Sequence, residues 1–310
     1  MRAVPRVRSL VAGKAVAVQF SSAGRLNAGW RNAARHVSAL TRRSRSNFYY
    51  SFLLLPRPQR EAIFAVYAFC RSVDDVVDME ANPVIQRQNL MAWKEEVARC
   101  FDGTPDHPVA QRLAEVIKNF RLPREYFEEI LNGIEMDILK NRYETFEDLR
   151  PYCYRVASVV GLICLRVFGC RADEADDYGV NLGLALQLTN IMRDVRADAE
   201  RGRIYLPRAE MARFGYPEED LLASRYTPAF VALMTHQAAR AREYFNRAQA
   251  AFPRAARRRL MAAEIMGGIY RRLLWTIEAR HYNVFDGPVR VPASRKAWIA
   301  LSCWARAHFP

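Results

Sequence analysis

Two short acidic patterns, more than one hundred residues apart, constrain this chain most strongly. In the stretch RSVDDVVD, Asp74 and Asp78 are four residues apart. In the stretch QLTNIMRDVRAD, Asp194 and Asp198 repeat that spacing. Carboxylates four residues apart share one face of a helix. The repeat therefore predicts two helices that each present an acidic face.

Further polar residues extend each pattern. Gln187 and Asn190 lie on the same predicted stripe as Asp194, and the arginines Arg71 and Arg193 are close by in sequence. An unpaired carboxylate inside a helical bundle is very costly, and a divalent cation is a common counter-charge. Oxygen ligands of this kind suit Mg²⁺, which also keeps waters and phosphate oxygens. A solvated acidic face gives the same pattern for either pair alone, whereas the second copy favours a pocket between two helices.

The rest of the chain predicts a helical bundle. Strand-like alternation is missing, and residues 208–225 are looser. The stretch ICLRVFGC is too short to span a membrane and contains Arg166. Proline and glycine dipeptides punctuate the pattern at 82–83, 103–105, 122–123 and 150–151. The predicted helices include 60–79, 152–168, 228–249 and 255–280. We expect an all-α, single-domain fold with a central pocket.

Charge is concentrated at one end. Residues 1–60 contain twelve Lys and Arg residues and no acid, and the remainder has 35 basic against 33 acidic residues. We therefore divide the chain into a basic arm, residues 1–45, which is disordered or a targeting segment, and a domain at 46–310. The near-neutral domain and the lack of a recognition motif argue against nucleic acid as a partner.

Other common chemistries lack a signature. The six cysteines form no C-x-x-C pair, which favours free thiols in a reducing cytoplasm. No histidine follows metal-ligand spacing or a known nucleophile signature. A Gly-rich nucleotide-binding loop is also missing from the sequence. We expect a cytoplasmic protein, with peripheral membrane contact through the apolar, aromatic and basic tail KAWIALSCWARAHF as an alternative to packing of that tail on the domain.

Three ordered blocks carry a resemblance to a known family. The blocks SNFYYSFLLLP through AVYAFCRSVDDVVD, YCYRVASVVGLICLRVFG and QLTNIMRDV through RGRIYLP resemble the squalene/phytoene synthases, the head-to-head prenyl transferases. The resemblance covers residues 46 to about 290. Within that family, the sequences SNFYYSFLLLP and YCYRVASVVG are most similar to the presqualene diphosphate synthases of hopanoid assembly, and next to the phytoene synthases. The resemblance implies an isoprenoid-synthase-type helical bundle.

The resemblance also implies site residues. Loss of diphosphate from a prenyl diphosphate leaves an allylic cation, so that metal and arginine stabilise the leaving group and aromatic faces stabilise the cation. The expected Mg²⁺ ligands are Asp74, Asp78, Asp194, Asp198 and, assisting them, Asn190. Arg71 and Arg193 are the expected diphosphate partners. The expected substrate-binding residues are Ser46, Asn47, Phe48, Tyr67, Tyr152, Val156, Gln187 and Tyr270.

The expected reaction joins two farnesyl diphosphates into presqualene diphosphate, without NADPH, for a downstream pathway enzyme. The departing diphosphate and Tyr205 are both candidate proton acceptors. A phytoene synthase that uses geranylgeranyl diphosphate is the alternative, and a non-catalytic assembly factor on the same fold is a second. The chain departs from the family at Pro288, where a diphosphate-facing arginine is usual, with Arg290 two residues on.

Overall fold

A computed structural model describes residues 51–52 and 54–309 of the chain. Within these ranges the backbone forms helices and an isolated bridge between Arg142 and Ile204, but no β-strand. The all-α prediction is therefore confirmed. In chain order, the α-helices are α1 (Arg57–Asp78), α2 (Pro83–Asp102), α3 (Pro108–Phe120), α4 (Arg124–Leu139), α5 (Phe146–Cys153), α6 (Val159–Val167), α7 (Ala172–Glu200), α8 (Arg208–Arg213), α9 (Glu218–Leu222), α10 (Pro228–Ala250), α11 (Met261–Ala279) and α12 (Ala293–His308).

Local sequence explains several helix ends. Helices α2, α3 and α10 each begin at a proline, where the missing N–H would have no partner in the helix in any case. Asn82 caps α2 by accepting a hydrogen bond from the backbone N–H of Val84, and Thr227 caps α10 in the same way from Phe230. Helix α2 ends at Gly103, whose φ of 83° is a left-handed conformation that favours glycine.

Helix α7 is the central element. It has 29 residues and packs against α6, α10 and the π-helix that precedes α6. The approach to the π-helix is close at Gly183, where a Cβ atom would lie 2.5 Å from the Cα of Ser158. The Ser158 hydroxyl donates a 2.8 Å hydrogen bond to the backbone carbonyl of Val180 on α7. Glycine at this position allows the two backbones to touch.

A π-helix at Tyr154–Ser158 joins α5 to α6 in one continuous rod. The sequence predicts a single helix over 152–168, and the observed rod begins earlier, at Phe146. The expected break at Arg150–Pro151 is wrong, because Pro151 lies inside α5. The helix begins instead at Phe146, where the preceding Thr145 is the N-cap and forms a reciprocal capping box with Asp148.

The looser segment at 208–225 contains the short helices α8 and α9. Among the described residues, no helix has both the length and the apolar character that crossing a bilayer requires. The predicted basic arm at 1–45 lies outside the described residues, so that its boundary stays a prediction.

Candidate active site

A cavity of about 1130 Å³ runs through the bundle. One face of α7 lines it from Tyr178 to Glu200, and α1, α6 with the π-helix, and α11 supply the other walls. Tyr178 and Asp194 are sixteen residues apart on α7, which is about 24 Å at the α-helical rise of 1.5 Å per residue. A single helix therefore connects the two ends of the cavity.

The two ends differ in polarity. Along α7, the lining changes from Gly179, Leu182 and Leu186 to Gln187, Asn190, Arg193 and Asp194. Along α1, it changes from Ile63 and Val66 to Arg71 and Asp74. The acid-bearing ends of α1 and α7 thus meet at one end of the cavity, and the opposite end is apolar.

Asp74 and Asp194 are the predicted acids that line the polar end. The Asp74 side chain lines the cavity and meets solvent there, whereas protein atoms surround its carboxylate on the other sides. This burial, and next the negative charge of Asp78, raise the pKa of Asp74 to about 7. A carboxyl group with so high a pKa gains from a cation at its open side, because the cation stabilises the ionised form.

Arginines accompany both acidic faces. Arg193 donates to both carboxylate oxygens of Asp194, with Nε 2.7 Å from Oδ1. Burial alone lowers the pKa of Arg193, but the hydrogen bonds and charge of Asp194 outweigh it and raise that pKa. Arg71 lines the cavity, and its Nη2 lies 2.5 Å from Oδ1 of Asp75, the acid between the predicted pair. Both predicted diphosphate partners therefore lie at the polar end.

Asp78 and Asp198 take different positions from those that the spacing predicts. Neither lines the cavity. Asp78 accepts a 2.6 Å hydrogen bond from Nη2 of Arg203. Asp198 faces a small cleft that Arg203 and Tyr205 also line. Burial and then the charge of Asp194 raise the pKa of Asp198 to about 7. Of the predicted stripe on α7, Gln187, Asn190 and Asp194 therefore line the cavity, whereas Asp198 does not.

A buried carboxylate that the sequence reasoning missed lies behind this wall. Asp137 on α4 accepts hydrogen bonds from the hydroxyls of Tyr205, at 2.7 Å, and Tyr152, at 2.9 Å. Nη1 of Arg203 lies 3.7 Å from it. Burial raises the pKa of Asp137 to about 6, although the Tyr205 hydrogen bond, the Arg203 charge and the Tyr152 hydrogen bond oppose the shift. The sequence did contain a signal. Asp137 lies seven residues after Ile130 and three after Ile134, which places it on the same buried face of α4.

Tyr152 and Tyr205 serve this buried network. Their rings stack with centroids 5.0 Å apart, and neither ring lines the cavity. Tyr152 therefore does not line the cavity in this structure, because its hydroxyl donates to Asp137, and its expected role in substrate binding stays a prediction. Tyr205, a predicted proton acceptor, is likewise a hydrogen-bond donor to Asp137.

The remaining predicted substrate-binding residues divide into two groups. Tyr67, Val156, Gln187, Asn190 and Tyr270 line the cavity. Ser46, Asn47 and Phe48 lie outside the described residues. The functional role of every residue in both groups stays a prediction.

The segment between α11 and α12 borders the polar end. Nη1 of Arg196 on α7 donates to the backbone carbonyl of Phe285 at 3.1 Å, which holds this segment against α7. Pro288, Arg290 and the buried Lys296 also line the cavity. Burial and the nearby charge of Arg290 lower the pKa of Lys296. Two cations therefore border the cavity near the position where the chain has Pro288.

The polar end offers oxygen ligands without a preassembled metal cluster. Among the described residues, no three His, Cys, Asp or Glu side chains are placed to hold a metal ion. Asn190 donates from Nδ2 to Oε1 of Gln187 at 3.3 Å, and its own Oδ1 is buried without a partner. A buried amide oxygen beside two acids on opposite walls fits a hard cation that takes its other ligands from water and phosphate.

Comparisons with known proteins agree on one family. Residues 41–296 match the profile of squalene/phytoene synthase. The 15-cis-phytoene synthase of Synechococcus elongatus is 37% identical over 271 residues, which cover 83% of this chain and 87% of that enzyme. The phytoene synthase of Mycobacterium tuberculosis is 36% identical over 276 residues, which cover 88% of this chain and 91% of that enzyme.

Solved structures give the same result. A dehydrosqualene synthase in complex with a ligand superimposes with a TM-score of 0.80 at 30% identity, covering 89% of this chain and 97% of that one. The squalene synthase HpnC from Alicyclobacillus acidocaldarius has a TM-score of 0.73 at 32% identity, covering 83% of this chain and 97% of that one.

Proposed function

The chain belongs to the squalene/phytoene synthase family of isoprenoid transferases, and we propose that it joins two geranylgeranyl diphosphates head to head, as phytoene synthases do. The observation that carries a prenyl-transfer reaction is the cavity itself, which places acids, arginines and an amide oxygen at one end of a long apolar channel. The choice of the C20 substrate is supported by the curated relatives, which are phytoene synthases at 33–37% identity.

A second candidate uses farnesyl diphosphate and forms presqualene diphosphate. The sequence blocks quoted above favour it, and so do the similar structures of a dehydrosqualene synthase and a squalene synthase. The two candidates require the same polar end and differ in the length of apolar channel that is occupied.

Asp74 and Asp194, with Oδ1 of Asn190, are the proposed ligands of Mg²⁺, which would draw charge from the leaving diphosphate. Asp78 and Asp198 do not reach such a site in this structure. Arg203 binds Asp78, and Asp198 faces the small cleft that Arg203 lines, so both acids could bind the metal only after this cleft joins the cavity. Arg71 and Arg193 lie where they would neutralise the diphosphate oxygens that are not bound to metal.

The apolar walls would exclude water from the allylic cation, and the rings of Tyr67 and Tyr270 line the cavity near the polar end. Coupling of the two chains releases one diphosphate and one proton. Tyr205 already donates to Asp137 and does not line the cavity, which favours the departing diphosphate as the proton acceptor.

A product assay tests the proposal. Purified full-length protein would receive the C15 or the C20 diphosphate separately, with Mg²⁺ or EDTA and with or without NADPH. Lipid extracts, before and after phosphatase treatment, would be analysed by mass spectrometry. We expect a C40 product from the C20 substrate, dependent on Mg²⁺ and indifferent to NADPH. A C30 product from the C15 substrate alone would establish the second candidate instead, and no coupled product from either substrate would overturn both.

An aspartate variant tests the metal ligands. Asp194→Ala should lower turnover by orders of magnitude, since it removes a charged ligand from a partly buried site. Asp173→Ala is the matched control, because Asp173 is an exposed acid in the first turn of the same helix. Turnover of Asp194→Ala within a few-fold of the control would rule out this assignment.

A further inference from the structure

Arg203 is a buried cation at the junction of the two acidic faces. It is only 9% exposed, and its Nη2 lies 2.6 Å from Oδ1 of Asp78. Within residues 51–52 and 54–309, its Nε is buried without a hydrogen-bond partner. A guanidinium has five N–H donors, and a buried donor without an acceptor costs free energy. Arg203 is therefore bound to a carboxylate but keeps a donor for a further anion.

The ion pair with Arg203 accounts for the position of Asp78. Asp78 lies four residues after Asp74, which lines the cavity. Side chains four residues apart share one face of a helix, so Asp78 is placed to join Asp74 at a common ligand. Asp78 pairs with Arg203 instead. In agreement with this pairing, the described part of the chain holds no three His, Cys, Asp or Glu side chains that converge on a metal position.

Asp198 lies beside the same guanidinium. It lines the small cleft that Arg203 also lines, whereas Asp194, one turn earlier on α7, lines the cavity. Each acidic pattern thus has one acid in the cavity lining and one acid next to Arg203. The position of a single side chain therefore bears on both of the acids that the cavity lacks.

The backbone on either side of Arg203 is fixed by hydrogen bonds. The N–H of Arg203 donates to the carbonyl of Asp198 at 2.9 Å, and the N–H of Ile204 donates to the carbonyl of Asn141 at 3.0 Å. The side chain of an arginine, in contrast, is long and has many rotamers. Arg203 can therefore exchange its partners by rotation of the side chain, without movement of the chain.

We propose that Arg203 is a positioning residue whose ion pair with Asp78, here called the ionic lock, keeps Asp78 from the metal site until metal and diphosphate bind together. The inference rests on the proposed function, since it takes both ligands at the polar end from it. When the lock opens, Asp78 turns to the metal, and Arg203 turns to phosphate oxygens, which a guanidinium binds with paired N–H donors. Each side chain exchanges one partner of opposite charge for another, so that neither is left buried and unpaired.

The ionic lock makes the two ligands depend on each other. Metal alone would have to break the ion pair and leave the guanidinium with the more distant Asp137, at 3.7 Å. Metal with diphosphate supplies a new partner to both side chains. Such coupling is reciprocal, and it typically changes an affinity by about 5–150-fold. A purely structural role of Arg203 would affect stability without linking it to the metal.

Metal binding without prenyl substrate tests the ionic lock separately from catalysis. Mn²⁺, in place of Mg²⁺, would be titrated into the full-length protein, and the free ion would be measured by electron paramagnetic resonance. Arg203→Gln removes the lock and leaves Asp78 available. We expect this variant to bind Mn²⁺ about tenfold more tightly than the wild type. Equal affinities of the wild type and the variant would overturn the proposal.

Loss of a positive charge raises the affinity for any cation, and Arg201→Gln controls for that effect. Arg201 is exposed and lies two residues before Arg203, so its replacement removes the same charge and leaves the ionic lock in place. Its affinity for Mn²⁺ should stay within about twofold of the wild type, because solvent and salt screen an exposed charge. Equal gains in Arg201→Gln and Arg203→Gln would contradict the lock, since charge alone would then explain both.

The wild-type protein decides the question even if the glutamine variant does not fold. The Nε–H signal of Arg203, assigned by its absence from Arg203→Lys, would be followed by heteronuclear NMR. Mg²⁺ and inorganic diphosphate together should shift this signal, because Nε changes its environment when the lock opens, whereas Mg²⁺ alone should shift it little. A signal that the two ligands together leave in place would rule out the lock. A shifted signal in a protein that forms no coupled product would support the lock and count against the proposed function.

Discussion

Arg203 lies between the two carboxylates of Asp78 and Asp137, with Nη2 2.6 Å from Asp78 Oδ1 and Nη1 3.7 Å from an oxygen of Asp137. Asp78 is on α1 and Asp137 is on α4, whereas Arg203 follows α7. One guanidinium therefore ties together three parts of the fold directly behind the polar end of the cavity.

We expect Arg203→Ala to be strongly destabilising. The change leaves two partly or fully buried carboxylates without their cation, and breaking such a pair costs about 3–5 kcal/mol. Arg203→Lys should lose less, because it keeps the charge but not the forked geometry. Urea denaturation would measure the free energy of unfolding. Arg201→Ala, an exposed neighbour, is the control and should stay within about 0.5 kcal/mol of wild type. A similarly small loss for Arg203→Ala would show that the ion pairs contribute little.

We expect the metal-free protein to lose stability as the pH rises from 5 to 8. The folded-state pKa values of Asp74 and Asp198, about 7, and of Asp137, about 6, lie above the usual value of 3.8 for aspartate. In this window the folded protein must release protons that the unfolded chain has already lost. Stability therefore falls with pH until these groups are ionised.

The variant Asp74→Asn isolates one part of that effect. In EDTA, its melting temperature should fall less between pH 5 and 8 than that of the wild type, so that the variant is the more stable protein at pH 8. Asp173→Asn changes an exposed acid and should keep the wild-type slope. Parallel profiles for Asp74→Asn and wild type would contradict the raised pKa of Asp74.

Tyr178 should set the longest prenyl chain that the cavity accepts. It lines the apolar end, and its ring packs edge-on against Phe252 with centroids 5.2 Å apart. Tyr178→Leu should shift turnover toward the longer of two homologous diphosphates, at about 1–3 kcal/mol for each fitted methylene. Competition between C15 and C20 diphosphates, or between C20 and C25, would measure the shift. Tyr244→Leu removes a buried aromatic ring that does not line the cavity and should leave the preference unchanged.

Two helical glycines should respond differently to a methyl group. Gly183→Ala places a Cβ atom 2.5 Å from the backbone of Ser158, so that α7 and the π-helix must separate, at a cost of about 1–3 kcal/mol. Gly267→Ala meets one side-chain methyl of Leu182 at 3.3 Å, which can move. The second change should be neutral or stabilising by up to about 1 kcal/mol, the helix propensity difference. Thermal unfolding of the two variants should rank them in that order, and the reverse ranking would contradict the close backbone packing.

Periodicity and composition were sufficient for the all-α fold and for much of the cavity lining. The two acidic patterns were informative because a buried acid needs a counter-charge wherever the helix lies, and Asp74 and Asp194 do meet at the polar end. The resemblance to a family supplied Val156 and Tyr270, which line the cavity. None of this required knowledge of how the helices pack.

What failed depended on packing. Spacing places Asp194 and Asp198 on one stripe, but it does not tell which edge of that stripe faces the cavity, and Asp198 lies beyond the edge. Tyr152 does not line the cavity, because its hydroxyl partner, Asp137, is on another helix. The spacing of Asp137 from Ile134 marked it as buried. Its partners Tyr205 and Arg203 come from a segment more than sixty residues later in the chain.

The π-helix at Tyr154–Ser158 makes this part of the chain sensitive to the deletion of a single residue. A π turn holds one residue more than the α turn that would replace it. Loss of a single codon there would restore regular α-helix and rotate everything on one side of the turn by about 100° relative to the other. Val156, Gly161 and the other lining residues of this rod would then leave the cavity together. Loops between the helices tolerate insertions and deletions, whereas a change of one residue in this rod would alter the lining of the cavity.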